Sequence, residues 1–145
     1  MSGPMELSKA LDFARADRLG VLTTLKRDGR PQISNIVYAI DDAGTVRISV
    51  TDPRAKTKNL RRDPRASLYV CAENNFWAYA VLEGLAELSP VAADPADATV
   101  DELVALYRSL SGEHPDWDDY RNAMIADQRV VVRITPTYAY GMLPD

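Results

Sequence analysis

The sequence predicts an α+β domain, mainly β, organised as a closed or nearly closed antiparallel barrel of six to seven strands with flanking helices. Three observations predict it. Short β-rich runs follow one another directly and are joined by tight-turn signals, most clearly Asp28-Gly29 between two apolar stretches. Strands and helices do not alternate regularly, which argues against a doubly wound parallel sheet and for a barrel that hides its own edges. The 145 residues fit a single domain, residues 1–145, large enough to bury a core without disulfides or metals.

The chain opens with a helix over Met5–Ala16, where Leu7, Ala10, Leu11 and Ala14 recur near the 3.6-residue period. Gly20 leads into the β run Val21–Leu25, Arg27-Asp28-Gly29-Arg30 turns it, and Pro31–Ile40 returns with Ile33, Ile36, Val37 and Tyr38 as β formers. Asp41-Asp42-Ala43-Gly44 is a second turn before a strand over Thr45–Val50, whose alternation puts Val46, Ile48 and Val50 on one face. Thr51-Asp52-Pro53 reads as a helix start, a capping side chain ahead of a proline at the first helical position, and the helix ends before Asp63-Pro64. Ala66–Ala72 is a fourth strand. Asn74-Asn75 turns the chain into a fifth, Trp77–Leu88, where Gly84 signals a bulge or a close approach. Beyond the loop Pro90–Ala98, Thr99 and Glu102 resemble a capping box for a helix carrying Leu103, Leu106, Tyr107 and Leu110, closed by Gly112. A further helix spans Asp116–Asp127. Arg129–Ile134 is a sixth strand, Pro136 interrupts it, and Thr137–Gly141 adds a seventh.

Composition narrows the function classes. One cysteine, Cys71, excludes an internal disulfide and suits a reducing compartment. No secretory apolar core and no run long enough to cross a bilayer is present, so a cytoplasmic protein without a membrane partner is expected. One His and one Cys cannot build a metal site of the usual kind, and no metal is expected. Cys71 lies in an apolar β run and is expected to be a buried, inert thiol; His114, before Pro115, reads as a surface loop residue. No G-x-G-x-x-G follows a strand, no P-loop is present, and no acid, base and nucleophile stand out as a set, so no catalytic side chain is assigned.

Charge is the informative signal. The net charge is −4, which disfavours a nucleic-acid partner. Yet Arg54–Arg65 holds six basic residues and one acid, Asp63, a local +5 that leaves the rest of the chain at −9. The first N–H groups of a helix are unpaired, and the macrodipole makes that end partly positive. Cations there are disfavoured unless an anion occupies the site, so Arg54 and Lys56 point to anion binding, with Ser49 as an added hydroxyl donor. Arg61, Arg62 and Arg65, at the opposite end, suit the dipole and are expected to be structural. Trp77 and Tyr79 share a strand face and read either as an aromatic wall for a planar ring or as barrel core or interface. Gln32, Ser34 and Asn35 either read the edge of a heterocycle or face solvent. An anion clamp, an aromatic wall and amides without an acid–base set suit a protein that holds and tunes a cofactor which does the chemistry.

The stretch Pro53-Arg54-Ala55-Lys56-Thr57-Lys58-Asn59-Leu60-Arg61-Arg62-Asp63-Pro64-Arg65-Ala66 resembles the pyridoxamine 5′-phosphate oxidase-like superfamily, and within it the actinobacterial branch that depends on coenzyme F420. Gly20-Val21-Leu22, Asp28-Gly29-Arg30-Pro31-Gln32, Ser34-Asn35, Trp77, Tyr79-Ala80-Val81 and Glu83-Gly84 match in order and spacing, as do Ala105-Leu106-Tyr107-Arg108, Gly112-Glu113-His114 and Asp116-Trp117-Asp118-Asp119-Tyr120-Arg121. The resemblance implies a split β-barrel homodimer with two cofactor sites at the subunit interface. It implies that Gln32, Ser34, Asn35 and Ile36 lie along the flavin or deazaflavin ring, that Ser49, Arg54, Ala55, Lys56 and Asn59 surround the phosphate, and that Trp77 and Tyr79 line the ring pocket. The chain lacks room for the C-terminal substrate motif of the vitamin B6 oxidases, which turns the expectation away from that chemistry. The function implied is an F420-dependent oxidoreductase passing a hydride between the deazaflavin and a small conjugated or quinone-like molecule. The alternatives are an FMN-dependent oxidoreductase of the same fold and a non-enzymatic cofactor-binding protein.

Overall fold

The computed structural model describes residues 3–144. Its elements are β1 (Gly3–Pro4), α1 (Leu7–Arg15), β2 (Leu19–Leu25), β3 (Pro31–Ile40), β4 (Val46–Thr51), α2 (Ala55–Arg62), β5 (Arg65–Ala72), β6 (Asn75–Leu88), α3 (Ala98–Ser111), α4 (Trp117–Ala126) and β7 (Arg129–Met142). All pairings are antiparallel, in the order β1-β7-β4-β3-β2-β5-β6, and a further β6–β7 ladder closes six of the strands into a barrel. The hairpin turns fall where the Asp-Gly and Asp-Asp-Ala-Gly signals place them, with Gly29 at φ 85° and Gly44 at φ 89°.

Alternation along each strand fills the barrel. Leu22, Tyr38, Ile48, Leu68, Leu82 and Ile134 point inward and are buried. The apolar stripe of α1 plugs one end: Ala10 and Ala14 are buried, and the Tyr38 hydroxyl donates to the Ala14 carbonyl at 2.6 Å. Burial raises the Tyr38 pKa, so the phenol stays protonated as a donor. Helices α3 and α4 pack on the outside of β7 through Val100, Leu103, Met124 and Val131.

Three local readings need correction. The C-terminal β segment is one continuous strand, β7, rather than two divided at Pro136. Proline is tolerated there because it stands opposite Gly84, where the β6–β7 register shifts. A Cβ on Gly84 would come within 2.2 Å of the Thr135 carbonyl oxygen, so the sequence signal for close approach holds. The helix after β4 starts at Ala55 with Arg54 as N-cap, two residues later than Pro53. Thr51 remains in the ladder opposite Arg129, and its carbonyl accepts from Arg54 N at 3.2 Å and Thr57 Oγ1 at 2.7 Å. Finally, α3 is capped by Asp97, whose Oδ1 accepts from Val100 N at 2.8 Å. Thr99 donates instead to the Pro90 carbonyl at 2.9 Å.

Glu102 is committed elsewhere. Arg47 and Arg133 face each other directly across β4 and β7, an unfavourable like-charge pair. Glu102 of α3 reaches down between them, accepting from Arg47 Nε at 2.9 Å and Arg133 Nε at 2.7 Å. Burial pushes the Glu102 pKa up, but the guanidinium bonds from Arg133 and Arg47 outweigh it and hold it below the usual carboxylate range. A depressed folded pKa adds stability above the unfolded value, about 4.3, and loses it as pH falls through the folded value. Glu102→Gln is therefore expected to lower stability at neutral pH by about 1–3 kcal/mol. It should also flatten the acid limb of stability against pH, measured by urea unfolding between about pH 6 and pH 3.

Candidate functional site

The basic segment separates into two groups. Arg61 pairs with Asp52 at 2.5 Å, Arg65 with Asp63 at 2.8 Å, and Arg62 donates to the Leu25 carbonyl and to Asn59. These three hold the end of α2 and the start of β5, Arg61 and Arg62 in the last turn of the helix and Arg65 at the head of the strand. Arg54, Lys56 and Lys58 have no ion-pair partner among the described residues. Arg54 stands exposed at the N-cap. Lys56, in the first turn, is half-buried, and its pKa is lowered first by burial and then by the charges of Arg54 and Arg129.

Lys56 lines a cavity of about 480 Å³ between the barrel wall and the α3–α4 hairpin. Ser49 of β4, Asn35 and Ile36 of β3, and Arg129 at the start of β7 line it with Lys56. The opposite wall is helical, from Leu106, Tyr107 and Leu110 of α3 and Tyr120 and Met124 of α4. That wall is braced: Tyr120 donates to the Leu103 carbonyl at 3.0 Å, and its ring lies 5.0 Å from Tyr107. His114 stands in the loop between α3 and α4, as its place before Pro115 suggests, but its ring is half-buried against Tyr107, Trp117 and Tyr120 at 5.1, 5.7 and 5.4 Å.

A second hollow of about 680 Å³ adjoins the first and shares Leu19, Asn35 and Ile36 with it. Tyr69 and Cys71 of β5 line its far side. Cys71 is half-buried there rather than buried, because residues 69 and 71 face outward on their strand.

The structure thus brings Asn35, Ile36, Ser49 and Lys56 together. Ala55 opens the helix beside them, and Arg54 stands at its cap, outside the cavity lining. Gln32 and Asn59 meet elsewhere, through Thr24. Asn59 Nδ2 donates to Thr24 Oγ1 at 3.1 Å, and Thr24 Oγ1 donates to Gln32 Oε1 at 2.8 Å. This chain of bonds, with Asn59 and Thr24 both buried, fastens α2 to the barrel. Tyr79 stacks on Tyr69 at 5.5 Å, behind the second hollow. Trp77 is 72% exposed, which excludes a core role, and borders a separate hollow near Met5 and Lys9.

Arg129 is the site residue that sequence reasoning missed. Two side-chain polar atoms are buried without a hydrogen-bond partner among the described residues, Ser34 Oγ and Arg129 Nε. One belongs to the residue preceding Asn35 and the other to the cavity lining.

Fold and site together define a closed antiparallel barrel carrying a cavity, lined by Lys56 and Arg129, between its wall and a helical hairpin. The chain belongs to the pyridoxamine 5′-phosphate oxidase family, whose signature matches residues 7–143. The family includes oxidoreductases that bind flavin. The structure is similar to a conserved hypothetical protein of Mycobacterium tuberculosis, with 25% identity, TM-score 0.72, and 97% of this chain and 90% of that one covered. It is also similar to an F420 reductase from Mycobacterium smegmatis, with 26% identity, TM-score 0.68, and 94% and 98% covered. The same fold occurs in a FAD-binding protein of Mesorhizobium loti, at 21% identity and TM-score 0.67 over 97% and 95% of the chains. No helix among the described residues is long and apolar enough to cross a membrane.

Proposed function

We propose that the protein is a coenzyme F420-dependent oxidoreductase acting on a small conjugated or quinone-like substrate. One observation carries the reading: Ser49, Lys56 and Arg129 converge on one cavity beside Asn35 and Ile36, and Lys56 has no carboxylate partner among the described residues. These residues fit a cofactor with a phosphoryl group and a heterocyclic ring. When bound, the reduced deazaflavin supplies the hydride. Lys56 and Ser49 would hold the phosphate, Arg54 would add positive potential at the rim, and the Asn35 amide is available to a ring edge. Leu106, Leu110 and Met124 supply an apolar wall that keeps water from the bound face.

A homodimer is part of the proposal. Leu19, Ile33, Val37, Phe76, Trp77 and Leu85 are exposed apolar side chains on the outer wall. A second copy packed there would cover them and bring its own Trp77 toward the cavity. FMN is the second reading, favoured by the same cations, since they recognise a phosphoryl group on either cofactor.

Titration of the purified protein with F420 and with FMN tests the proposal, alongside sedimentation to read the mass. The expected result is saturable binding, tighter for F420, at one site per chain in a particle of about twice the 16.0 kDa chain mass. Reduced F420 should then be consumed with enones or quinones. Binding of FMN alone would move the assignment to the second reading, and binding of neither would end both.

A further inference from the structure

We infer that Arg129 is an anion-binding residue of this cavity, the guanidinium that grips the cofactor's phosphoryl group together with Lys56 and Ser49. The inference rests on the cofactor reading above and assigns that site a ligand from the far end of the chain.

The backbone delivers Arg129 to the cavity by an unusual route. Gln128, the residue before it, has φ 54°, the left-handed region that side chains other than glycine seldom occupy. It is held there from both sides: its N–H donates to the Ile125 carbonyl at 3.0 Å, and its own carbonyl accepts from Asp52 N at 2.9 Å. The turn from α4 into β7 is thereby pinned to the loop that leads into α2. Arg129 then pairs with Thr51 in the ladder, one strand across from the approach to Lys56.

Once there, the guanidinium has little to do within the protein. Its Nη1 lies 3.5 Å from Ser49 Oγ, a long contact. Its Nε is buried and makes no hydrogen bond among the described residues. The one carboxylate within 4 Å among the described residues is Asp127, at 3.6 Å, beyond hydrogen-bonding distance. A side chain with five donors is left largely unspent beside a second cation, Lys56, in a partly desolvated cavity. Compare Arg133 and Arg47, the other arginines of these two strands. Both are spent on Glu102 at 2.7 and 2.9 Å. A phosphoryl group would relieve the repulsion between Arg129 and Lys56, fill the empty donors, and suit the planar fork of the guanidinium.

The test compares the parent with Arg129→Ala, Arg129→Lys and Asp127→Asn. Binding of F420, FMN and inorganic phosphate is measured calorimetrically, and unfolding midpoints are measured without ligand. Arg129→Ala is expected to lose about ten- to hundred-fold in affinity for both cofactors, the range for a lost hydrogen bond to a charged group. Arg129→Lys should fall between it and the parent, retaining charge but not the fork. Asp127→Asn should bind no more weakly than the parent. Inorganic phosphate should compete with FMN in the parent and not in Arg129→Ala. Parent-like affinity in Arg129→Ala, while the parent itself binds, would overturn the inference and leave the cofactor reading standing. A loss in Asp127→Asn equal to that in Arg129→Ala would also overturn it, because the arginine would then act through its carboxylate neighbour. Failure of the parent to bind either cofactor would remove the cofactor reading and this inference together.

Discussion

Lys56→Ala is expected to weaken binding of F420 and FMN by about 1.5–3 kcal/mol, roughly ten- to hundred-fold, while leaving the fold intact. Among the described residues the ammonium group makes no ion pair that its loss would orphan. Its burial lowers its pKa and concentrates its field on whatever enters the cavity, as a partly desolvated charge interacts more strongly than a solvated one. Arg54→Ala should lose less, because the cap side chain is exposed and stands outside the cavity lining. Lys58→Ala, also exposed and not a lining residue, is the control and should change affinity less than about threefold, as expected of a solvated charge. Calorimetric titration together with thermal unfolding checks all three. Parent-like affinity in Lys56→Ala would show that the phosphate does not lie in this cavity.

The largest loss of stability is expected at Gly84. In Gly84→Val the first side-chain carbon alone would come within 2.2 Å of the Thr135 carbonyl oxygen and 3.0 Å of Pro136 Cα. Both obstacles are backbone, so no rotamer relieves them, and both belong to the ladder that closes the barrel. Overpacking of this kind costs about 3 kcal/mol or more, equivalent to a fall of roughly 6–12 °C in unfolding temperature for a chain of this length. Thr137→Ala, exposed on the same strand, should stay within about 0.5 kcal/mol of the parent. A Gly84→Val protein that unfolds with the parent would mean that the β6–β7 closure is dispensable.

Much of this molecule is legible in its sequence because the signals are local. Leu7, Ala10, Leu11 and Ala14 announce a helix by spacing alone, and Val46, Ile48 and Val50 announce an inward strand face. Arg54 and Lys56 stand out because their chemistry opposes the helix that carries them. What escaped depends on partners distant in sequence. Pro136 looks like a break until Gly84 is set opposite it. Thr51-Asp52-Pro53 looks like a cap until Thr51 is claimed by Arg129. Asn59 is buried to satisfy Thr24, 35 residues away, which no spacing rule reveals. Arg129 reads as a solubilising charge at the head of a valine run, and only the strand order places it beside Ser49. The faint sequence clue to it was its location directly after Asp127-Gln128, where a helix turns abruptly into a strand.

That the cavity draws Lys56 from α2 and Arg129 from the final strand has a consequence for how the protein matures. The two are brought together only when β7 docks against β4, the last act of barrel closure in chain order. A chain truncated before β7 would lack the pocket altogether, so capture of the proposed cofactor would report completed folding. A ligand that recognises only the finished barrel also shifts the equilibrium toward it, by about 2.7 kcal/mol at a free concentration one hundred times its dissociation constant. Supply of the small molecule would then govern how much of the polypeptide persists against degradation.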